Sequence, residues 1–114
     1  MKTEIYVEDE FKRQFRKLAK RYRSLKADFQ EFVDDLSAHP FQGADLGKGV
    51  RKTRMAIASK GKGKSGGARV ITYCVQQESE TVKIDLLTIY DKSDFPNISD
   101  HFIKFLLDLR SHLQ

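Results

Sequence analysis

The order of sequence patterns predicts an α+β domain, in which helices pack against an antiparallel β-sheet. Apolar residues recur at helical spacing from Phe11 to Leu36 and again after Asn97. Between these regions, from Val50 to Tyr90, apolar and polar residues alternate, and β-branched and aromatic residues are frequent. The strand-like segments follow one another through short links, so they are expected to form an antiparallel meander covered by the helices.

A short strand and a helical hairpin are predicted at the start of the chain. Residues 2–7 (KTEIYV) form the strand, and two amphipathic helices follow it. Ser24 is a plausible N-cap of the second helix, and Pro40 ends that helix. Because the link between the helices is short, they are expected to lie antiparallel. Their apolar faces consist of Phe11, Phe15, Leu18 and Tyr22 in the first helix and of Leu25, Phe29, Phe32, Val33 and Leu36 in the second.

Three strands are predicted after three glycines, at positions 43, 47 and 49, have interrupted the helical pattern. The first strand has two different faces, because successive side chains of a strand point to opposite sides of the sheet. Its core face consists of Thr53, Met55 and Ile57, and its other face of Lys52, Arg54 and Ala56. The three strands cover residues 50–57, 68–75 and 81–90, with a turn at 76–80.

A last helix is predicted after Asn97 or Ser99, either of which can cap it. Its apolar positions run from Ile98 to Leu113 at helical spacing. The whole chain of 114 residues fits one domain, residues 1–114. No apolar run approaches the ~20 residues that cross a bilayer, and the first residues do not resemble a signal peptide. We therefore expect a cytoplasmic protein without a membrane partner, whose single cysteine, Cys74, is a buried thiol.

Positive charge is concentrated in the middle of the chain. The segment between Asp45 and Glu78 contains eight lysines and arginines and no acidic residue, although the net charge of the whole chain is only +5. Such a concentration indicates a surface that meets a polyanion. The eight cations are Lys48, Arg51, Lys52, Arg54, Lys60, Lys62, Lys64 and Arg69.

The stretch ASKGKGKSG, residues 58–66, satisfies a relaxed form of the P-loop pattern. A P-loop needs a helix whose first N–H groups hold the phosphates, whereas here Gly66, Gly67 and a strand follow. We therefore expect no nucleotide cofactor. A glycine-rich backbone with mobile lysines can nevertheless approach an anion closely, so Lys60, Lys62 and Lys64 are candidate phosphate-binding residues, together with Lys48 and Arg51. Alternatively, the segment is a hairpin loop that its lysines keep soluble.

Two segments, RKTRMAIASKGKGKSGGARVITY at 51–73 and LLTIYDKSD at 86–94, resemble the RelE/ParE superfamily of toxins from bacterial toxin–antitoxin modules. Within that superfamily the chain is most similar to the RelE/HigB-like messenger-RNA interferases, and the likeness covers nearly the whole chain. The resemblance implies a RelE-like fold and an enzyme that cuts messenger RNA in the ribosomal A site without a metal. It also implies a cognate antitoxin that wraps the toxin.

Metal-free cleavage of RNA is compatible with the residue types present. The acidic residues are scattered, so no metal site is expected, and the three histidines do not form an evident catalytic pair. In the metal-free reaction the 2′-OH attacks the adjacent phosphorus, leaving a 2′,3′-cyclic phosphate and a 5′-OH. This reaction needs a base, an acid and positive charge for the phosphorane.

Arg69 matches the best-marked arginine of the family and is the candidate that stabilises this charge. Lys52 and Arg54 match the basic pair on the neighbouring strand, where their alternate spacing separates the Cα atoms by about 7 Å. Since neighbouring cations favour the neutral form of an amine, Lys52 is also the candidate base.

Tyr90, Asp91 and Lys92 match positions at which the family carries basic, acidic or aromatic groups. Lys92 is the candidate acid for the leaving oxygen, and Tyr90 could stack on a splayed base. Alternatively, Tyr90 anchors the edge of the sheet beside a solvated lysine. The chain departs from the family pattern here, because it has Ser93, Phe95 and Phe102 where some members have an arginine and a tyrosine, and it lacks the histidine of HigB-type members.

Two other functions are compatible with the same sequence. The ParE branch poisons DNA gyrase by protein contact and needs no catalytic cluster, but the presence of Lys52, Arg54 and Arg69 argues against it. A non-catalytic RNA-binding or ribosome-binding module would use the same cations as contacts to the RNA backbone. In each case the helices and the basic face are the expected docking surface for an acidic amphipathic antitoxin segment.

Overall fold

The computed structural model describes residues 2–61, 63–95 and 97–110, apart from the side chain of Gln76. Five strands and four helices occur in these ranges. A single 3₁₀ turn lies between β3 and α3, at Ala58–Lys60. The elements are β1 Lys2–Val7, α1 Asp9–Arg21, α2 Leu25–Ala38, β2 Ala44–Gly47, β3 Val50–Met55, α3 Gly63–Gly66, β4 Ala68–Gln77, β5 Thr81–Asp91 and α4 Asp100–Asp108.

The five strands form one sheet in the order β1-β5-β4-β3-β2. β3, β4 and β5 are antiparallel neighbours, which confirms the predicted meander and the α+β class. β1 lies parallel to β5 at one edge, from Lys2 opposite Thr81 to Val7 opposite Leu86, so the sheet is mixed. None of the helices within the described ranges is long and apolar enough to cross a membrane.

Helices cover both faces of the sheet. The larger apolar cluster contains Leu18, Leu25 and Val70 and joins α1 and α2 to one face. The predicted faces of these helices are confirmed, and four phenylalanine rings pack there with centroids 5.3 to 6.3 Å apart. Ile71 and Leu106 belong to a second, smaller cluster, which joins α4 to the opposite face.

The strand β2 and its hairpin were not predicted. The turn to β3 is made by Gly47, Lys48 and Gly49, whose φ angles are all positive, at 89°, 56° and 83°. Two of the glycines that were expected only to break the chain therefore supply left-handed backbone for a tight turn. The strand is short and fully exposed, so its sequence carries no hydrophobic alternation from which it could be predicted.

The segment 58–66 differs from the open loop that was expected. It contains the 3₁₀ turn and the one-turn helix α3, which includes Lys64 and Ser65. α3 leads directly into β4, so no longer helix follows it. Gly67 closes the segment at a point of close approach, because a Cβ there would lie 2.2 Å from the carbonyl oxygen of Met55.

The helix caps were predicted with mixed success. Ser99 caps α4 by accepting the N–H of Phe102 at 3.1 Å, and Asn97 does not have this role. Ser24 occupies the N-cap position of α2, but its hydroxyl donates to Asp28 instead of accepting a backbone N–H of the helix. The predicted last turn of α4, with His112 and Leu113, lies outside the described residues.

A buried carboxyl group joins the end of α4 to the sheet. Asp85 of β5 has no exposed surface, and the Nε–H of Arg110 donates to its Oδ2 at 3.2 Å. The guanidinium of Arg110 also lies over the ring of Tyr73, 4.7 Å from its centroid. Burial and the nearby carboxyl of Glu8 raise the pKa of Asp85 to about 8, although Arg110 opposes the shift. Asp85 is therefore mainly protonated at neutral pH.

Replacement of Asp85 should change how stability depends on pH. Since the pKa of Asp85 rises from 3.8 to about 8 on folding, the wild type loses stability from this group as the pH rises through that interval. Asp85→Asn cannot titrate at this position and does not have this loss. The free energy of unfolding of the variant, minus that of the wild type, should therefore increase as the pH rises from about 5 to about 8, as measured by urea denaturation. Asp94→Asn, at an exposed position, is the control. A difference between Asp85→Asn and wild type that is the same at every pH would contradict the prediction.

Candidate functional site

The register of the meander brings three of the predicted site residues into one row. Arg54 of β3 lies directly opposite Arg69 of β4, and Arg69 lies directly opposite Tyr90 of β5. Lys52 lies opposite Ile71, one step further along the same face. Because directly opposed residues point to the same side of a sheet, Lys52, Arg54, Arg69 and Tyr90 share the face that α4 partly covers.

A cleft of about 510 Å³ opens at the edge of β3 beside this row. Its lining includes four cations from three elements, and none of the described residues that line it is acidic. The chain just before β2 forms another part of its wall, where Gly43 has a φ of 97° and passes close to the backbone of β3. The lining residues are Gln42, Gly43, Ala44, Lys52, Thr53, Arg54, Lys64 and Arg69. This basic cleft can accept a phosphate group.

Arg69 is almost buried, with 6% of its surface exposed. Its guanidinium donates to the backbone carbonyls of Lys64 at 3.2 Å, Ala68 at 3.1 Å and Ser65 at 3.1 Å. Burial and the charge of Arg54 lower the pKa of Arg69, and Tyr90 opposes this shift. A guanidinium has five N–H donors and stays protonated, so Arg69 can fix the end of α3 and still donate to an anion in the cleft.

Lys52 and Arg54 differ in exposure. Arg54 is exposed, and Lys52 is half-buried. The core face of the same strand is as predicted, because Thr53, Met55 and the following Ile57 are all buried. The alternation of β3 therefore separates a buried apolar face from a cationic face that borders the cleft.

Tyr90 is packed more closely than a base-stacking residue requires. It is buried in the cluster under α4, and its ring meets Phe95 edge to face, with the centroids 5.9 Å apart. Burial raises the pKa of Tyr90, and Arg69 opposes this shift. The burial of Tyr90 fits the alternative from the sequence, in which this residue anchors the sheet. The aromatic ring beside it that is well exposed is that of Phe95.

The lysines of segment 58–66 have different positions. Lys64 is exposed, lies 3.9 Å from Asp35 and lines the cleft. Lys60, which was expected to be a mobile cation for phosphate, is instead nearly buried, and its Nζ lies 2.5 Å from the carboxylate of Asp91. Lys60 thus does not line the cleft, and an internal carboxylate is its partner. Lys62 lies outside the described residues.

Three other predicted cations do not line the cleft. Lys48 lies in the β2–β3 turn, four residues before Lys52 along the chain. Arg51 points to the opposite face from Lys52, where its guanidinium lies 3.7 Å from Asp45. Lys92 is exposed on the turn after β5. The structure thus gathers Lys52, Arg54, Lys64 and Arg69, but not the candidate general acid Lys92.

Asp91 is the residue whose position the sequence did not reveal. It follows Tyr90 at the end of β5, and its carboxylate is fully buried beside Lys60. Apart from its match to a family position, the sequence shows only an acidic residue that ends an apolar strand, and such a residue is more often exposed. Within the described ranges no three side chains of His, Cys, Asp or Glu form a potential metal-binding group.

Residues 5–114 match the protein family described as "RelE toxin of RelE / RelB toxin-antitoxin system". The match includes every strand and helix described above except the first residues of β1, and so all the elements that build the cleft.

Removal of Arg54 should stabilise the fold. The charge of Arg54 disfavours the charged form of the nearly buried Arg69, and the cleft supplies no counterion for either residue. We expect Arg54→Gln to raise the free energy of unfolding by about 0.3 to 1 kcal/mol at low salt, and by less at high salt.

Urea denaturation at two salt concentrations would measure this gain. Arg51→Gln is the matched control, because it removes the same charge from the same strand on the opposite face, where Asp45 is the partner. Equal effects of the two substitutions would show that the gain does not come from repulsion in the cleft.

Proposed function

The chain belongs to the RelE toxin family, and from this premise we propose that it is a metal-free endoribonuclease that cuts messenger RNA in the ribosomal A site. The membership itself implies a toxin with a cognate antitoxin. Cleavage of RNA, dependence on the ribosome and action in the cytoplasm are the further parts of the proposal. Inhibition of translation would follow from the loss of intact messages.

The observation that supports the proposal best is the basic cleft. Lys52, Arg54, Lys64 and Arg69 line one cleft without an acidic partner among the described lining residues. Lys64 has Asp35 at 3.9 Å, but Arg54 and Arg69 repel each other in the cleft. Such a cluster of cations costs stability and is characteristic of a site that receives an anion. A phosphodiester that becomes doubly charged in the transition state matches this arrangement better than a neutral ligand does.

Each cleft residue has a role in the proposed reaction. Arg69 and Arg54, which lie side by side on adjacent strands, would hold the non-bridging oxygens and stabilise the phosphorane. Lys52 would accept the proton of the 2′-OH as its oxygen bonds to phosphorus. The bond from phosphorus to the 5′-oxygen then breaks, and that oxygen needs a proton. Lys64, on α3, is better placed in the cleft to supply this proton than Lys92 is.

Arg69→Ala should abolish cleavage. Loss of a charged donor to the phosphorane is expected to lower the cleavage rate about 10²- to 10³-fold. The experiment is translation in a purified cell-free system, with message ends mapped by primer extension in the presence and absence of ribosomes. Arg51→Ala is the control, because it removes an arginine on the opposite face.

Cuts within codons that require ribosomes and disappear with Arg69→Ala are the expected result. Intact messages in the presence of the wild type would contradict the proposal. Gyrase supercoiling would then be assayed, where inhibition would indicate a ParE-like poison and no inhibition a binding module.

Lys52→Arg should separate charge from proton transfer. Arginine keeps the positive charge but cannot act as a base near neutral pH. We therefore expect binding of a single-stranded RNA to be retained while the single-turnover cleavage rate falls by about 10²-fold or more. Full cleavage activity in this variant would exclude Lys52 as the base and leave it only a phosphate-binding role.

A further inference from the structure

Asp91 lies at the end of β5, and its carboxylate gathers donors from three parts of the chain. Lys60 donates to Oδ1 at 2.5 Å, and the N–H of Ser93 donates to the same oxygen at 2.9 Å. Arg21 donates to Oδ2 at 3.1 Å, and the hydroxyl of Tyr22 donates to Oδ2 as well. These contacts join the end of α1, the 3₁₀ turn and the turn after β5 at one buried point.

The carboxylate is charged despite its burial. Burial alone would raise the pKa of Asp91, but hydrogen bonds from Lys60, Tyr22 and Ser93 outweigh it and lower the pKa to about 2. The side chain of Lys60 is itself only 10% exposed, and it also donates to the hydroxyl of Ser93 at 2.9 Å. The ion pair is therefore internal and intact throughout the neutral pH range.

Both segments that Asp91 joins carry candidate site lysines. Residue 60 ends the 3₁₀ turn three residues before α3, which contains Lys64. Lys92 follows Asp91 directly, and its N–H donates to the carbonyl of Gly67 at 3.2 Å. A displacement of the 3₁₀ turn would move α3, and with it the lysine that lines the cleft.

Two further contacts hold the start of the same segment. Asp28 accepts the N–H of Ala58 at 3.1 Å, and the hydroxyl of Ser24 accepts the N–H of Ser59 at 2.9 Å. At the other end, Arg69 binds the carbonyls of α3. Between these two anchors, two ion pairs contact the segment. Lys60 binds the buried Asp91 at 2.5 Å, whereas the exposed Lys64 lies 3.9 Å from Asp35, so the pair with Asp91 is the close and internal one.

We propose that Asp91 is a positioning residue, whose carboxylate acts through Lys60 to hold residues 58–61 and 63–67 in place and so keeps Lys64 in the cleft. Asp91 has no exposed surface, so it does not touch RNA itself. Its part in RNA cleavage rests on the proposed function, whereas its effect on the segment does not. The described part of residues 58–67 is thus a fixed wall of the cleft and not a mobile phosphate-binding loop.

The first test is amide hydrogen exchange of Asp91→Asn, Lys60→Met and the double variant of the full chain. Each single variant should speed exchange in the segment about 10- to 100-fold, as expected for loss of a charged hydrogen bond, and the double variant should add little. Asp85→Asn is the control for replacing a buried carboxyl of β5 by an amide, because Asp85 contacts Arg110 instead of Lys60 and is already mainly neutral. The reporting amides are those of Gly61, Gly67, Lys92 and Ser93.

The second test is binding of a single-stranded RNA of about 12 nucleotides at several salt concentrations. If Lys64 leaves the cleft, Asp91→Asn should lower the slope of log Kd against log salt by about 0.7, the value for one phosphate contact of a single strand. Lys64→Ala should lower the slope by the same amount. The variant that combines Asp91→Asn with Lys64→Ala should show no further decrease in the slope. The rate of ribosome-dependent cleavage should fall about 10- to 100-fold in Asp91→Asn.

The outcomes separate the two proposals. Unchanged exchange in folded Asp91→Asn, or tighter RNA binding with a steeper salt slope, would overturn the positioning role, since Asp91 would then only sequester Lys60. If Asp91→Asn does not fold, Lys60→Met removes the same ion pair and decides the question by exchange. A wild type that neither binds nor cleaves RNA would instead overturn the proposed function, and the exchange experiment would still test Asp91.

Discussion

The registration of β4 between β3 and β5 is the constraint on which the rest of the structure depends. Each residue of a strand points to one side only, so this register decides which side chains of three segments meet. It places Arg69 between Arg54 and Tyr90, and it assigns Val70 to one apolar cluster and Ile71 to the other. A shift of β4 by one residue would move Arg69 to the face covered by α1 and α2 and would exchange Val70 and Ile71 between the two clusters. The apolar core that stabilises the sheet therefore also fixes the basic row.

The cations of the segments around the cleft differ in how their charge is compensated. Lys60 is paired with Asp91 and Arg51 with Asp45, and neither of these cations lines the cleft. Within the cleft, Lys64 lies 3.9 Å from Asp35, whereas Arg69 donates to backbone carbonyls and the charge of Arg54 opposes that of Arg69. The buried Asp91 thus compensates a charge that serves the fold, whereas Arg54 and Arg69 share the cleft with no carboxylate among its described lining residues. This distribution supports the proposed binding of a phosphodiester more strongly than the total charge does.

Preorganisation is the common property of the parts that border the cleft. Arg69 is held by three carbonyls, and the segment that carries Lys64 is held at its start, middle and end. Charged groups fixed before the substrate arrives need little reorganisation during the reaction, which is the usual source of electrostatic catalysis. Composition alone suggested mobility for this segment, because glycine and lysine are common in flexible loops. Long-range contacts from α1, α2 and β5 override that local tendency.

The sequence by itself determined the class of the fold, the two helical faces, the meander and the cationic face of β3, because these follow from local periodicity and burial. It also identified Arg69, Lys52 and Arg54 as a group through their spacing and their resemblance to the family. Only the tertiary structure decided that Lys64 joins them while Lys60 and Lys92 do not, and that β1 pairs in parallel with β5. These features depend on contacts between residues far apart in the chain, such as Lys60 with Asp91, and no local pattern encodes such a pairing.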